Sequence, residues 1–213
     1  MLQAKDLTCI RDDRVLFSRL SLHMAPGDIL QVTGRNGSGK TSLLKILAGL
    51  IRPESGDIQW NQRNIQRFAA EYHRDLLYIG HQAGIKLSLT PLDNLVFYQA
   101  AAGAARDERA IWLALEQVGL AGYEEVPAAG LSSGQQRRIA MARLWLSPAS
   151  LWLLDEPFSA LDKDGIVRLQ AKFAAHSAAQ GMVVFSNHQV LPETARRLRV
   201  LSLASPEEQP CSG

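Results

Sequence analysis

Leu131-Ser132-Ser133-Gly134-Gln135 is the stretch that decides the reading of this chain, because of what flanks it. Upstream lies Gly34-Arg35-Asn36-Gly37-Ser38-Gly39-Lys40-Thr41, a glycine-rich loop of phosphate-binding type. Downstream an apolar run ends in two acids, Leu151-Trp152-Leu153-Leu154-Asp155-Glu156. A phosphate loop alone occurs on many folds and says only that a nucleotide binds. The Leu-Ser-Ser-Gly-Gln turn ahead of an acidic strand is far more restrictive.

The context of the loop supports it. Ile29–Thr33 reads as a short buried strand running into the glycines. Apolar residues at 43, 44, 46, 47 and 50 then follow a helical period, and Arg52-Pro53 ends it. The glycines let successive backbone N–H groups turn inward around phosphate oxygens, and the helix adds its N-terminal dipole. Residues Gly34 to Lys40, with Thr41 and Ser42, are therefore the expected nucleotide site. Lys40 is placed for the β- and γ-phosphates and the Thr41 hydroxyl for Mg²⁺. Asp155 ends a buried strand, where its carboxylate can meet a water on Mg²⁺. Glu156 faces differently and suits a general base for water attack on the γ-phosphate.

Ser132, Ser133, Gly134 and Gln135 occupy an expected helix N-terminus, with Leu131 as apolar anchor. This second anion-binding terminus needs a phosphate from elsewhere. The three motifs together resemble the ATP-binding-cassette (ABC) ATPases. The resemblance implies an α/β fold: a P-loop NTPase core with an antiparallel β N-terminal region and an inserted α-helical subdomain. It also implies ATP and Mg²⁺ as cofactors, and a head-to-tail pair in which residues 132–135 of a second ATPase subunit close over the γ-phosphate. The family's usual glycine is Ser133 here, which restricts close backbone approach at that position.

By the same resemblance Gln82 matches the lever glutamine that meets the metal and attacking water. His188 matches the switch histidine on the γ-phosphate, and Ser159-Ala160-Leu161-Asp162 matches the loop that couples the two sites, with Asp162 as its acid. The aromatic residue that stacks on adenine in the family is missing. Arg11 stands in its place, and either Arg11 or Phe17 is open as the base contact.

Composition fits a single soluble unit. The chain has 213 residues, 46% hydrophobic and 21% charged, with a formal charge of +2 and scattered arginines. This gives no reason to expect a nucleic-acid partner. Cys9 and Cys211 lie far apart without metal-ligand spacing and read as free thiols. Met1–Asp6 turns polar at once, so no signal sequence is expected, and no stretch approaches the ~20 apolar residues of a membrane span. The expected organisation is one ATPase domain over 1–204, with its core at 1–82 and 149–204 and the helical insert at 83–148. A tail over 205–213, with two prolines and two acids, reads as disordered.

Strands are expected at 57–60, 76–79, 151–155, 182–186 and 199–203. Helices are expected near 134–146 and 166–179, with apolar helical stripes at Leu92, Leu95, Val96, Phe97 and at Ile111, Leu115, Val118. A finer resemblance lies in Tyr78-Ile79-Gly80-His81-Gln82-Ala83-Gly84-Ile85-Lys86 and Leu89-Thr90-Pro91-Leu92-Asp93-Asn94-Leu95. With Gly134-Gln135-Gln136-Arg137-Arg138 and Ala142-Arg143-Leu144-Trp145-Leu146, it is similar to ATPase subunits of the haem exporters of cytochrome c maturation. It implies integral membrane permease partners, a peripheral location on the cytoplasmic face of the inner membrane, and an indirect link to a haem chaperone. Direct haem binding is not expected, since His81 lies at the nucleotide and coupling loop. The resemblance leaves open whether haem is exported or a haem-loaded chaperone released. The other readings are the ATPase of a different ABC exporter and a soluble non-transport ABC ATPase. A P-loop GTPase is disfavoured because no Asn-Lys-x-Asp motif occurs.

Overall fold

A computed structural model describes residues 1–159, 161–187 and 198–203. Ala160, His188, Cys211 and the 205–213 tail lie outside the described residues.

The chain begins with two long antiparallel strands, β1 (Leu2–Arg11) and β2 (Arg14–Met24). Their turn is the two residues Asp12-Asp13, both left-handed at φ 49° and 58°. A two-residue turn of that hand matches the right-handed twist of the strands, and Asp is among the few non-glycine residues that tolerate it. The buried face of β1 changes parity along its length, from Leu2 and Ala4 to Leu7 and Cys9. A register shift lies between Ala4 and Leu7, and Asp6 has φ 51°. One extra residue moves the buried set to the other alternation.

β3 (Ile29–Thr33) follows a turn in which Asp28 N–H bonds the Ala25 carbonyl at 3.1 Å. α1 spans Lys40–Leu47, shorter than the apolar period suggests, because the Gly49 and Leu50 N–H groups turn back onto the Ile46 and Lys45 carbonyls. β4 (Ser55–Trp60) and β5 (Arg63–Asn64) complete a four-stranded antiparallel sheet in the order β2-β1-β4-β5. α2 (Ala69–Arg74) leads to β6 (Leu76–Ile79).

A second sheet has the order β6-β7-β8-β3-β9, with β7 at Leu151–Leu154, β8 at Met182–Ser186 and β9 at Leu198–Ser202. The pairs β7–β8, β8–β3 and β3–β9 are parallel. Every residue of β3, β7 and β8 is buried, as strands covered on both faces require. Leu43, Leu44 and Leu47 of α1 share one apolar cluster with Leu2, Leu7, Leu30, Val32, Leu153 and Val184. The carboxyl ends of β3, β7 and β8 carry, respectively, the glycine loop, the two acids and Ser186. In open parallel sheets, ligands bind at that edge.

These elements fall in one compact unit, made of residues 1–78 and 149–156 with the described residues from 176 onward; the other unit is 79–148 with the described residues of 157–175. In the second unit, α3 (Pro91–Ala101) is capped by the Thr90 hydroxyl, which accepts from Asp93 N–H at 3.0 Å, and has Pro91 in its first turn. α4 (Glu108–Gln117) is capped by Asp107, and α5 spans Ser133–Ala142. Leu95, Ile111, Leu115, Leu120, Ile139 and Leu144 are among its fully buried apolar residues. Residues 143–145 continue α5 as one 3-10 turn, so the stretch expected to be helical to 146 tightens in its last turn. α6 runs Lys163–Ala178, three residues ahead of its expected start. Among the described residues, no helix is long and apolar enough to cross a membrane.

Candidate active site

The glycine loop is already folded around its lysine. Lys40, 7% exposed, donates from Nζ to the carbonyls of Gly34 at 2.7 Å and Arg35 at 3.0 Å. Gly39 caps α1 in the left-handed region, φ 97°, where a side chain would be strained and would press on Leu16 and Phe17. No side chain caps α1, so its first N–H groups remain for an anion. The Ser38 hydroxyl is buried and has no hydrogen-bond partner among the described residues. A buried orphan hydroxyl is costly unless a ligand oxygen meets it. A Cβ on Gly34 would sit 2.5 Å from that hydroxyl and 2.9 Å from the Leu203 carbonyl, so only glycine fits there.

Beside the loop, Thr41 and the two acids are joined through one serine. Thr41 Oγ1 donates to Asp155 Oδ2 at 2.8 Å. The Ser186 hydroxyl donates to Asp155 Oδ1 at 2.6 Å and accepts from Glu156 N–H at 2.8 Å. Both oxygens of the 2%-exposed Asp155 are thereby fixed. Glu156 adopts a left-handed backbone, φ 49°, which costs on the order of 1 kcal/mol for a non-glycine residue. Ser186 was absent from the expected site; its only sequence signal is a lone polar residue closing the apolar run Met182–Phe185.

Arg11 is exposed at the end of β1. The Cys9 thiol meets both the Arg11 side chain and the Ser42 hydroxyl, and burial pushes its pKa up. Phe17 is 4% exposed and packs against Gly39. Its ring lies against the loop.

In the second unit, Ser132 caps α5. Its hydroxyl accepts from Gln135 N–H at 3.2 Å, and the Gln135 side-chain oxygen accepts from Ser132 N–H at 2.9 Å. Gln135, expected to meet a nucleotide, is thus also half of a capping box. Ser133 is the first helical residue, and a Cβ at Gly134 would meet open space. Gln82 is exposed in the segment after β6. Asp162 caps α6, accepting Gly165 N–H at 2.8 Å. His188 falls outside the described residues.

Comparison with known proteins decides the family. The family model for ABC transporters matches residues 17–159. The chain belongs to the ABC transporter family. It carries the ABC ATPase domain, that of an ATP-hydrolysing transporter subunit. The ABC chain is 55% identical over 211 residues to a cytochrome c biogenesis ATP-binding export protein, CcmA, of Yersinia pestis, covering 99% of this chain and 96% of that one. It is 53% identical over 208 residues to the CcmA of Sodalis glossinidius, covering 98% of each. A putative ABC transporter ATP-binding protein of Pyrococcus furiosus has the same fold, with TM-score 0.80, 24% identity, and coverage of 94% and 96%. So has a dimeric ATP-binding cassette in a post-hydrolysis state bound to ADP and phosphate, with TM-score 0.81, 21% identity, and coverage of 95% of each chain. The α/β core with its antiparallel N-terminal sheet agrees with the expected fold class.

Proposed function

We propose that this ABC ATPase energises a membrane complex of c-type cytochrome biogenesis, acting in haem export or in release of a haem-loaded chaperone. The observation that carries the reading is the near-full-length likeness to CcmA proteins. Residues 1–204 form the ATPase domain, with the core at 1–82 and 149–204 and the insert at 83–148. Two copies pair head to tail on integral membrane permeases at the cytoplasmic face of the inner membrane, and the haem chaperone is an indirect partner.

In each copy, residues 34–42 hold the ATP phosphates. Lys40 leaves the Gly34 and Arg35 carbonyls for the β- and γ-phosphates, and the orphan Ser38 hydroxyl gains an oxygen partner. The all-oxygen set of Thr41, Asp155 (through water) and Gln82 suits Mg²⁺, which when bound neutralises phosphate charge. Glu156 takes the proton of the attacking water. The Ser186 hydroxyl accepts the Glu156 N–H and so holds its backbone beside Asp155. His188 donates to the γ-phosphate. Ser132, Ser133, Gly134 and Gln135 of the second copy close over it, and Asp162 couples the two sites.

The experiment is a cell carrying only the Lys40→Ala or Glu156→Gln form. It should lack covalent haem on c-type cytochromes, read by haem staining of denaturing gels, and keep b-type haem, read by reduced-minus-oxidised spectra. Covalent haem delivery outside the cytoplasm is the step that needs this route. Normal staining in both variants would refute the cytochrome reading. A haem-loaded chaperone accumulating on the membrane would select release; its absence would select haem export.

A further inference from the structure

The segment that carries Gln82 is held from several directions within the helical unit. Arg137, 7% exposed on α5, donates from Nη1 to the carbonyls of Gly80 and His81, the latter at 2.7 Å. Two residues past Gln82, the Gly84 carbonyl accepts from the Tyr98 hydroxyl, and the Arg143 guanidinium lies 3.8 Å from the Tyr98 ring centroid. Asn94, 1% exposed, accepts from Lys86 N–H at 2.8 Å and donates to the Lys86 and Thr90 carbonyls at 3.0 and 2.9 Å. The Leu87 and Leu89 carbonyls accept from the N–H groups of Ala129 and Ala128, each at 2.9 Å. Gln136, next to Arg137, donates to the carbonyls of Ala128 at 2.9 Å and Leu131 at 3.0 Å.

Two successive residues of α5 therefore tie the turn at 132–135 to the segment at 80–90. Arg137 does so directly, and Gln136 does so through the strand of chain ahead of the turn. The exposed Gln82 side chain hangs between two anchored carbonyls, those of His81 and Gly84. We propose that Arg137 is a positioning residue for ATP hydrolysis: by fixing the His81 carbonyl it makes the Gln82 segment and the Ser132–Gln135 turn one rigid piece. A buried guanidinium suits this role, because it stays charged and one terminal nitrogen can serve two carbonyls at once. A displacement of the Gln82 segment is then carried to the turn on α5 without slack. The inference rests on the role proposed above for Gln82.

The test uses the full-length chain. Arg137→Met removes the donors while keeping an unbranched apolar stem. Amide hydrogen exchange over residues 81–86 should rise about tenfold or more, the scale of losing hydrogen bonds from a charged donor. Arg137→Lys should fall between Met and wild type. Arg138→Met serves as the comparison, since Arg138 instead holds the Val118 and Gly119 carbonyls; its effect should stay near 118–119. In membranes containing the assembled complex, Arg137→Met should lower kcat about tenfold with KM within about twofold, and should add nothing to Gln82→Ala. Tyr98→Phe, which frees the Gly84 carbonyl without removing a buried charge, should show the same pattern more weakly and covers the case in which Arg137→Met does not fold.

Unchanged exchange at 81–86 in both Arg137→Met and Tyr98→Phe would overturn the inference. So would raised exchange with wild-type kcat beside a slow Gln82→Ala. A Gln82→Ala enzyme of normal kcat would instead overturn the role given to Gln82, a separable failure.

Discussion

Ser186 Oγ donates to Asp155 Oδ1 across 2.6 Å, although the two residues are 31 positions apart in the chain. The parallel pairing of Leu154 with Phe185 sets them side by side at the sheet edge. The same oxygen accepts the N–H of Glu156. One hydroxyl thereby joins the acid proposed for the metal site to the backbone of the proposed base.

Ser186→Ala is expected to lower kcat about tenfold with a smaller change in KM, from loss of a bond to a charged acceptor worth ~1.5–3 kcal/mol. The freed Glu156 N–H should also cost about 1–2 kcal/mol of stability. Steady-state ATPase kinetics and denaturant unfolding check both parts. A variant with wild-type kcat would mean that the serine only fills space.

Lys40→Ala should reduce hydrolysis by about 10²-fold or more and weaken nucleotide binding, because a fixed, buried charge aimed at the transferred phosphate is lost. Phosphate release and fluorescent-nucleotide titration on the purified complex report the two effects. Near-normal turnover would contradict the phosphate-loop assignment.

Glu156→Gln should retain ATP binding and stall hydrolysis, since the amide is near-isosteric but takes no proton. ATP then stays between two copies. Sizing with Mg-ATP, membrane partners supplied, should give a dimer of the variant; monomer with and without nucleotide would argue against the head-to-tail arrangement.

Ser133→Gly should leave turnover unchanged or raise it. Ser132 and Gln135, not Ser133, make the capping box, so the cost is confined to helix propensity, up to about 1 kcal/mol. Thermal unfolding and kcat measure the two sides. A fall beyond tenfold in kcat would reveal a positive role for the Ser133 hydroxyl.

The parts of the site legible in sequence are those where function and local pattern coincide. Leu151–Leu154 is a continuous apolar run and Ile29–Thr33 a mainly apolar one carrying Gln31 and Thr33; both are buried because the sheet is covered on both faces, and each ends at residues proposed for the site. The glycine loop is legible because its backbone geometry demands glycine at Gly34 and Gly39. Ser186 was not legible: a single hydroxyl has no period, and its partner is chosen by tertiary pairing. Arg137 enters the sequence reading only within a resemblance motif; the fold alone brings it against the carbonyls of Gly80 and His81. The first strand lacked a clear alternation for a reason equally local, the extra residue at Asp6.

The pairing of Lys40 with the Gly34 and Arg35 carbonyls has a consequence for the end of the cycle. A buried ammonium stripped of its phosphate would be expensive, and product would leave slowly for that reason alone. Here the departing anion has an internal competitor: two carbonyls of the same loop stand ready to take over the cation. On the phosphate role proposed for Lys40, the loop resets by exchanging one set of oxygens for another, the two carbonyls taking the cation as the anion leaves.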